Sequence, residues 1–127
     1  MKILGHGIDL VDVDEVKKWL EDPRDPLGPR CFTQSELAAA GEGPNRAEHL
    51  AGRFAAKEAV LKALGIGFGD GVSFTDIETV NAPHDPPEIL LSGGAAAVAA
   101  QRGVSKWFLS VSHEKGIAIA SAIAVGE

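Results

Sequence analysis

The chain contains one cysteine, one methionine and no tyrosine among its 127 residues. A lone cysteine, Cys31, closes no internal disulfide. This excludes a disulfide scaffold and a cysteine-rich zinc site, and it suits a reducing compartment. Long apolar runs are missing as well. The longest, near 95–100 and 117–125, fall well short of the ~20 residues that a membrane helix needs. The opening "MKILGHGIDL" lacks the apolar region and cleavage site of a signal peptide. A soluble, cytoplasmic protein with no membrane association is therefore expected. Positive charge is also scarce, with a formal net charge of −6. Proteins that grip nucleic acid by its phosphates carry a basic excess or stripe, so no nucleic-acid partner is expected. A local basic patch for an acidic partner stays open, because steering follows the local field.

What is present fits one domain over residues 1–127 with one core, since 45% of the residues are hydrophobic. "KILGHGIDLVDV" reads as a buried strand. Gly5 and Gly7 inside it mark a bulge or the close approach of a ligand or second backbone. A short helix follows, with Asp12 and Glu15 at capping-box spacing and Val13, Val16, Trp19 and Leu20 at helical intervals. "EDPRDPLGPR" is a loop, because its prolines forbid regular structure. "TQSELAAA" starts another short helix, with Thr33 and Glu36 at capping-box spacing. The longest helix runs from about Ala47 to Leu64, and Gly65 fits its C-cap. "FTDIETV" and "PEILLS" read as strands around the turn-rich "NAPHDP". "GGAAAVAAQRG" is an alanine-rich helix after the candidate cap Ser92, narrow enough to lie close against a sheet. "SKWFLSVSH" and "GIAIASAIAV" are strands joined by the tight turn "HEKG". Hairpins outnumber crossovers, so the fold class is α+β: an antiparallel sheet packed against one long and several short helices.

The chemistry concentrates in "HLAGRFAAKEAVLKALGIG", residues 49–67. At ~100° per residue, Leu50, Phe54, Leu61 and Leu64 share one stripe. Lys57 lies in its centre and must either snorkel out or find a buried carboxylate. Glu58 and Lys62 share one flank with the small Ala51 and Ala55, and Arg53 projects from the other. An ordinary i,i+4 surface pair accounts for Glu58 and Lys62 at ~0.3–0.5 kcal/mol. Asp9 offers a second account, because a carboxylate ending an apolar strand is not there for packing. Asp9 and Glu58 together would make a hard oxygen site, and one or two carboxylates plus substrate phosphates is the usual way to hold Mg²⁺. Lys62 would then neutralise a phosphate oxygen. The glycines at 65–71 follow a helix instead of preceding one, so they form no P-loop. Ser112 and His113 are strand neighbours pointing to opposite faces, which excludes a nucleophile pair. His113 either donates to a phosphate or caps the turn. His6, His49 and His84 lack metal-ligand spacing, and Trp19 and Trp107 read as core.

"GIDLVDVDEV" at 7–16, "FTQSEL" at 32–37, "LAGRFAAKEAVLKALGIG" at 50–67, "DIE" at 76–78 and "SHEKGIAIASAIA" at 112–124 together resemble holo-[acyl-carrier-protein] synthase, the short group of 4′-phosphopantetheinyl transferases. The resemblance spans nearly the whole chain. It implies transfer of the 4′-phosphopantetheine arm of coenzyme A to a serine of an apo acyl carrier protein, releasing adenosine 3′,5′-bisphosphate, in fatty-acid and lipid metabolism. It also implies that Asp9 and Glu58 bind Mg²⁺ with the coenzyme A pyrophosphate and that Lys62 contacts phosphate. His113 and Gly65 fall at positions near the coenzyme. Arg46, in the loop before the helix, would anchor the 3′-phosphate, and Arg53 is either structural or faces the nucleotide. The serine proton goes to a metal-bound water or to a carboxylate, Glu58 or Asp9. Members of the short group form homotrimers with active sites at subunit interfaces, which makes "AIASAIA" and the Gly5–Gly7 strand candidate packing surfaces. Two positions depart from the pattern. Glu15 stands where an arginine that meets the acidic carrier is common, with Lys17, Lys18, Arg24 and Arg30 nearby to compensate. Ile117 replaces the usual aromatic. Glu15 motivates the alternative of a coenzyme A-binding module without transferase activity.

Overall fold

The computed structural model describes residues 1–25, 27–67, 69–81 and 84–127. Pro26 of the proline-rich loop, Phe68 of the glycine loop and Ala82–Pro83 of the "NAPHDP" turn lie outside the described residues. The elements run β1 (Lys2–Asp12), α1 (Val13–Glu21), α2 (Gln34–Ala40), α3 (Arg46–Leu64), β2 (Ile77–Val80), β3 (Glu88–Leu91), α4 (Gly93–Gln101), β4 (Lys106–Glu114) and β5 (Ile117–Gly126). The strands form two antiparallel sheets, β1-β5-β4 and β2-β3. Asp9 lies opposite Ala120, which in turn lies opposite Val111.

Small residues set how α3 meets the larger sheet. Gly7, Val11, Ala118, Ala120, Ala122 and Ala124 are buried beneath the helix. A Cβ on Gly7 would overlap the Ala59 carbonyl oxygen, and one on Gly5 would overlap that of Ala63. The close approach expected of these glycines is therefore helix backbone on strand backbone. The other side of α3 packs on α1 and α2. Trp19 meets Phe54 edge-on with ring centroids 5.0 Å apart, and Phe54 meets Phe74 at 5.2 Å. Covered on both sides, α3 is buried nearly all round, which explains why alanine fills positions off its main stripe.

The opposite face of the β1-β5-β4 sheet carries exposed apolar side chains. Ile3, Ile8, Leu10, Phe108 and Ile117 are exposed there, Ile3 at 71% and Leu10 at 66%. Among them the His6 Nε2 and the Ser121 hydroxyl form a hydrogen bond of 3.1 Å. The side chains that these strands leave exposed are isoleucines and leucines. The alanines of "AIASAIA" face inward, because only they let α3 lie this close.

Several local expectations are revised. Asp12 caps α1 by accepting from the Asp14 amide at 2.9 Å, not through a box with Glu15. The Thr33–Glu36 capping box is present. Phe74–Asp76 is a 3₁₀ turn preceding β2, so the strand is shorter than "FTDIETV". The alanine-rich α4 packs chiefly on that turn. Ser92 sits at its N-cap without a side-chain bond, and Asp76 Oδ2 instead accepts from the Ala95 amide at 3.4 Å. The β4–β5 turn has Lys115 at φ 52° and Gly116 at φ 79°, the left-handed pair of a type I′ hairpin. The Gly116 carbonyl accepts from the Val13 amide at 2.9 Å, tying the hairpin tip to the start of α1. Lysine is strained at that φ, and asparagine is the favoured residue. Lys115→Asn is expected to stabilise the fold by about 0.5 kcal/mol, read as a rise of a few degrees in melting temperature; a fall would contradict the turn assignment.

Candidate active site

Asp9 is reached from β1 and Lys62 from the last turn of α3. The Lys62 ammonium donates to Asp9 Oδ1 and to the Ile8 carbonyl, each at 3.0 Å. Lys62 thus turns across to the strand and away from the i,i+4 pairing with Glu58 that spacing predicts. A cavity of about 370 Å³ opens beside Ile8, Asp9, Leu10 and Lys62. Glu58 lies one turn before Lys62 on the same flank, half-buried. Burial pushes its carboxyl above the ordinary value, Asp9's negative charge pushes it further, and Lys62 partly offsets both. Asp9, Glu58 and Lys62 are therefore brought into one electrostatic cluster. Among the described residues, no three of His, Cys, Asp and Glu come together as a metal cluster. Any cation here would complete its shell with water or with oxygens of a bound molecule.

A second cavity, of about 520 Å³, opens on the other side of α3 and is lined by Glu48, His49, Arg53, Asn81 and His113 among others. Arg53 donates to Asn81 Oδ1 at 2.6 Å. Its Nε and the His49 Nε2 are buried without a hydrogen-bond partner among the described residues. Burial and the neighbouring Arg53 charge push the His49 imidazole below its ordinary value, which keeps it neutral at pH 7. His113 Nδ1 lies 3.2 Å from Glu48 Oε1, so this histidine pairs with a carboxylate and does not cap the turn. Arg53 and Lys62 are nine positions apart, about 180° around the helix at ~100° per residue. Consistently, Asp9 lies on edge strand β1 and His113 on edge strand β4, with β5 between them.

The remaining candidates fall elsewhere. Arg46 is the first residue of α3 and not part of the preceding loop. Its guanidinium donates to the Gly41 carbonyl at 2.6 Å and to Leu37 at 3.3 Å, closing the C-terminal end of α2. Gly65 takes the left-handed conformation that ends α3, with φ 70°. Glu15 is exposed on α1 between Asp14 and Lys17. Arg24 pairs with Asp22 at 3.5 Å, and Arg30 donates to the Asp25 carbonyl at 2.9 Å.

Lys57 finds a buried carboxylate, Glu36 of α2, at 2.7 Å, and both side chains are fully buried. Lys57 also donates to the Phe74 carbonyl at 3.0 Å and to the Ile77 carbonyl. Burial pushes its ammonium below the ordinary value, while Glu36 holds it up. Sequence reasoning gives Glu36 no part in a site and does not reach Asn81 or Glu48. Glu36 was legible only as a helix cap, although a lysine within an apolar stripe has either to snorkel out or to find such a partner. Nothing local marks Asn81.

The family model of the 4′-phosphopantetheinyl transferase superfamily matches residues 5–122. A holo-[acyl-carrier-protein] synthase of Geobacter sp. (strain M21) is 41% identical over 121 residues, covering 95% of this chain and 97% of the relative. The crystal structure of a holo-ACP-synthase from Plasmodium yoelii superposes with a TM-score of 0.82 at 37% identity, covering 99% of this chain and 97% of the other. That of a Helicobacter pylori holo-[acyl-carrier-protein] synthase in complex with coenzyme A does so with a TM-score of 0.80 at 30% identity, covering 94% and 99%. The match of the family model over most of the chain, together with relatives of this identity and coverage, places the chain in the holo-[acyl-carrier-protein] synthase family of 4′-phosphopantetheinyl transferases.

Proposed function

We propose that the chain transfers the 4′-phosphopantetheine arm of coenzyme A to a serine of an apo acyl carrier protein, with Mg²⁺ held by Asp9 and Glu58. The observation that carries this reading is the convergence of Asp9, Glu58 and Lys62 at the β1–α3 contact. The donor set fits the ion. Two carboxylates give hard oxygens, and the upward push on Glu58, due first to burial, includes a part from Asp9's negative charge that a cation would relieve. A bound Mg²⁺ would supply Lewis-acid neutralisation of the diphosphate.

The chain's own residues do the rest. Lys62 is half-exposed and long enough to serve both Asp9 and a phosphate oxygen, so it neutralises charge on the phosphoryl group being transferred. The carrier serine oxygen forms a bond to the β-phosphorus in line with the breaking bond to the bridging oxygen. The serine proton leaves to solvent or to a carboxylate of the pair, and adenosine 3′,5′-bisphosphate departs. Arg53, with His49 and His113 beside it, suits an anionic part of the coenzyme.

These two clusters face opposite sides of α3, which supports active sites shared between copies. The exposed isoleucines and leucines of the sheet face support a homotrimer, since large exposed apolar patches mark interfaces. We further infer a place in the cytoplasm and in fatty-acid metabolism.

The test is a mass measurement on an apo carrier protein incubated with the chain, coenzyme A and Mg²⁺. A gain of one phosphopantetheine is expected, and its loss with a chelator. Tight coenzyme A binding with no transfer to any carrier would overturn the transferase reading in favour of a binding module. His113→Ala is expected to raise the KM for coenzyme A about 10-fold, a charge-assisted hydrogen bond being worth roughly 1.5–3 kcal/mol. Steady-state kinetics check this, and an unchanged KM would remove His113 from the coenzyme site.

A further inference from the structure

We propose that Glu36 is a positioning residue for the coenzyme pocket: through the Lys57 ammonium and the Thr79 amide it fixes the Arg53 guanidinium on Asn81. The inference rests on the coenzyme A reading of that pocket.

A fully buried ion pair is a weak source of stability. Apolar residues of similar volume often replace one without loss, and its best-attested use is to specify a single register. Here four elements share it. Lys57 of α3 donates to Glu36 of α2, to the Phe74 carbonyl in the 3₁₀ turn and to the Ile77 carbonyl at the start of β2. Its three protons meet three acceptors, so α3 can neither rotate nor slide without breaking one. Glu36 Oε1 also accepts from the Thr33 amide at 3.0 Å, and Oε2 accepts from the Thr79 amide at 3.2 Å. The carboxylate thus holds α3 by one oxygen and β2 by the other.

Both ends of the Arg53–Asn81 bond follow from this grip. Arg53 is one turn before Lys57 on the same face of α3. Asn81 is two residues beyond Thr79, just past the end of β2. A guanidinium recognises anionic oxygens through a planar fork, so its use depends on a fixed plane. A misplacement of about 1 Å in a positioning group can cost up to ~100-fold. An apolar pair would fill the same volume but would not hold the helix at one rotation.

The test is the double variant Glu36→Met/Lys57→Met, which removes both charges and keeps the volume. The melting temperature is expected to stay within about 5 °C of native. The KM for coenzyme A should rise at least about 10-fold with kcat within about 3-fold. An unchanged KM in a folded variant overturns the proposal. Asn81→Ala loosens Arg53 directly and should also raise KM. Adding it to the double variant should give no more than the larger of the two effects, because both act by one route; additive effects overturn the proposal. A readout independent of catalysis is the Arg53 Nε–H in ¹⁵N NMR. It should exchange slowly in the native chain and faster in the double variant, and equal exchange overturns the proposal even if the native chain transfers nothing. Should the double variant fail to fold, Glu36→Asp keeps the charge but is too short to hold Lys57 and Thr79 together. It should raise KM about 3-fold with kcat unchanged, and native KM there overturns the proposal.

Discussion

Glu58→Gln is expected to lower phosphopantetheine transfer by at least about 100-fold while the metal-free protein melts at or above the native temperature. The two halves of this expectation share a cause. Burial, then the charge of Asp9, raises the Glu58 carboxyl above its ordinary value. The folded chain therefore binds that proton more tightly than the unfolded one. The stability this contributes is present below the unfolded value and is lost as pH rises through the raised folded value. At neutral pH the ionised carboxylate opposes folding, and an uncharged amide of the same shape removes the opposition. Added Mg²⁺ should raise the native melting temperature and leave that of the variant nearly unmoved. Carrier-protein mass shifts and thermal melts, with and without chelator, read both effects. Near-native turnover of the variant would refute the metal assignment. A lower melting temperature in chelator would mean that the carboxylate is there for the fold.

Gly7→Ala is expected to destabilise the fold by at least about 3 kcal/mol, a fall of roughly 10 °C or more in melting temperature. The new methyl would meet the carbonyl of Ala59 with the Ala63 amide close by, and both are helix backbone. No rotamer change relieves this, so α3 must lift off β1. Asp9 lies two residues along that strand, and Glu58 and Lys62 lie on the helix that lifts. Transfer should fall with stability. Ala59→Gly in the same chain removes a side chain but not the obstructing oxygen, so it should not rescue. Rescue, or a variant melting within about 2 °C of native, would show that the strand and helix are not held together as described.

The legible parts of this molecule are those that a few residues decide locally. Thr33 with Glu36, Gly65, and the "HEKG" turn each predict one backbone geometry, and each adopts it. Gly5 and Gly7 announced a close approach, although the sequence did not say to what. The pairing of charges was less legible, because a side chain's partner depends on the third dimension. Lys62 had an adequate helical neighbour in Glu58 and took Asp9 instead, because β1 runs alongside the helix there. Glu36 satisfied a local rule as a cap and so concealed its second task of holding Lys57. Arg46 looked free in a loop but starts the helix and closes the end of α2 by donating to two carbonyls there. Residue chemistry could offer Asp9 and Glu58 as a pair of hard oxygens, but no spacing rule links residue 9 to residue 58, so the family likeness gave that pairing most of its weight.

The hydrogen bond from the Val13 amide to the Gly116 carbonyl means that α1 does not point in a direction of its own choosing. Its first turn is moored to the tip of a hairpin whose neighbouring position, three residues back, is His113. Lengthening that tip would swing the helix and disturb the histidine in the same edit. Changes to the surface of α1 are therefore best confined to its outward side chains, Asp14, Glu15, Lys17 and Lys18, with the mooring left alone.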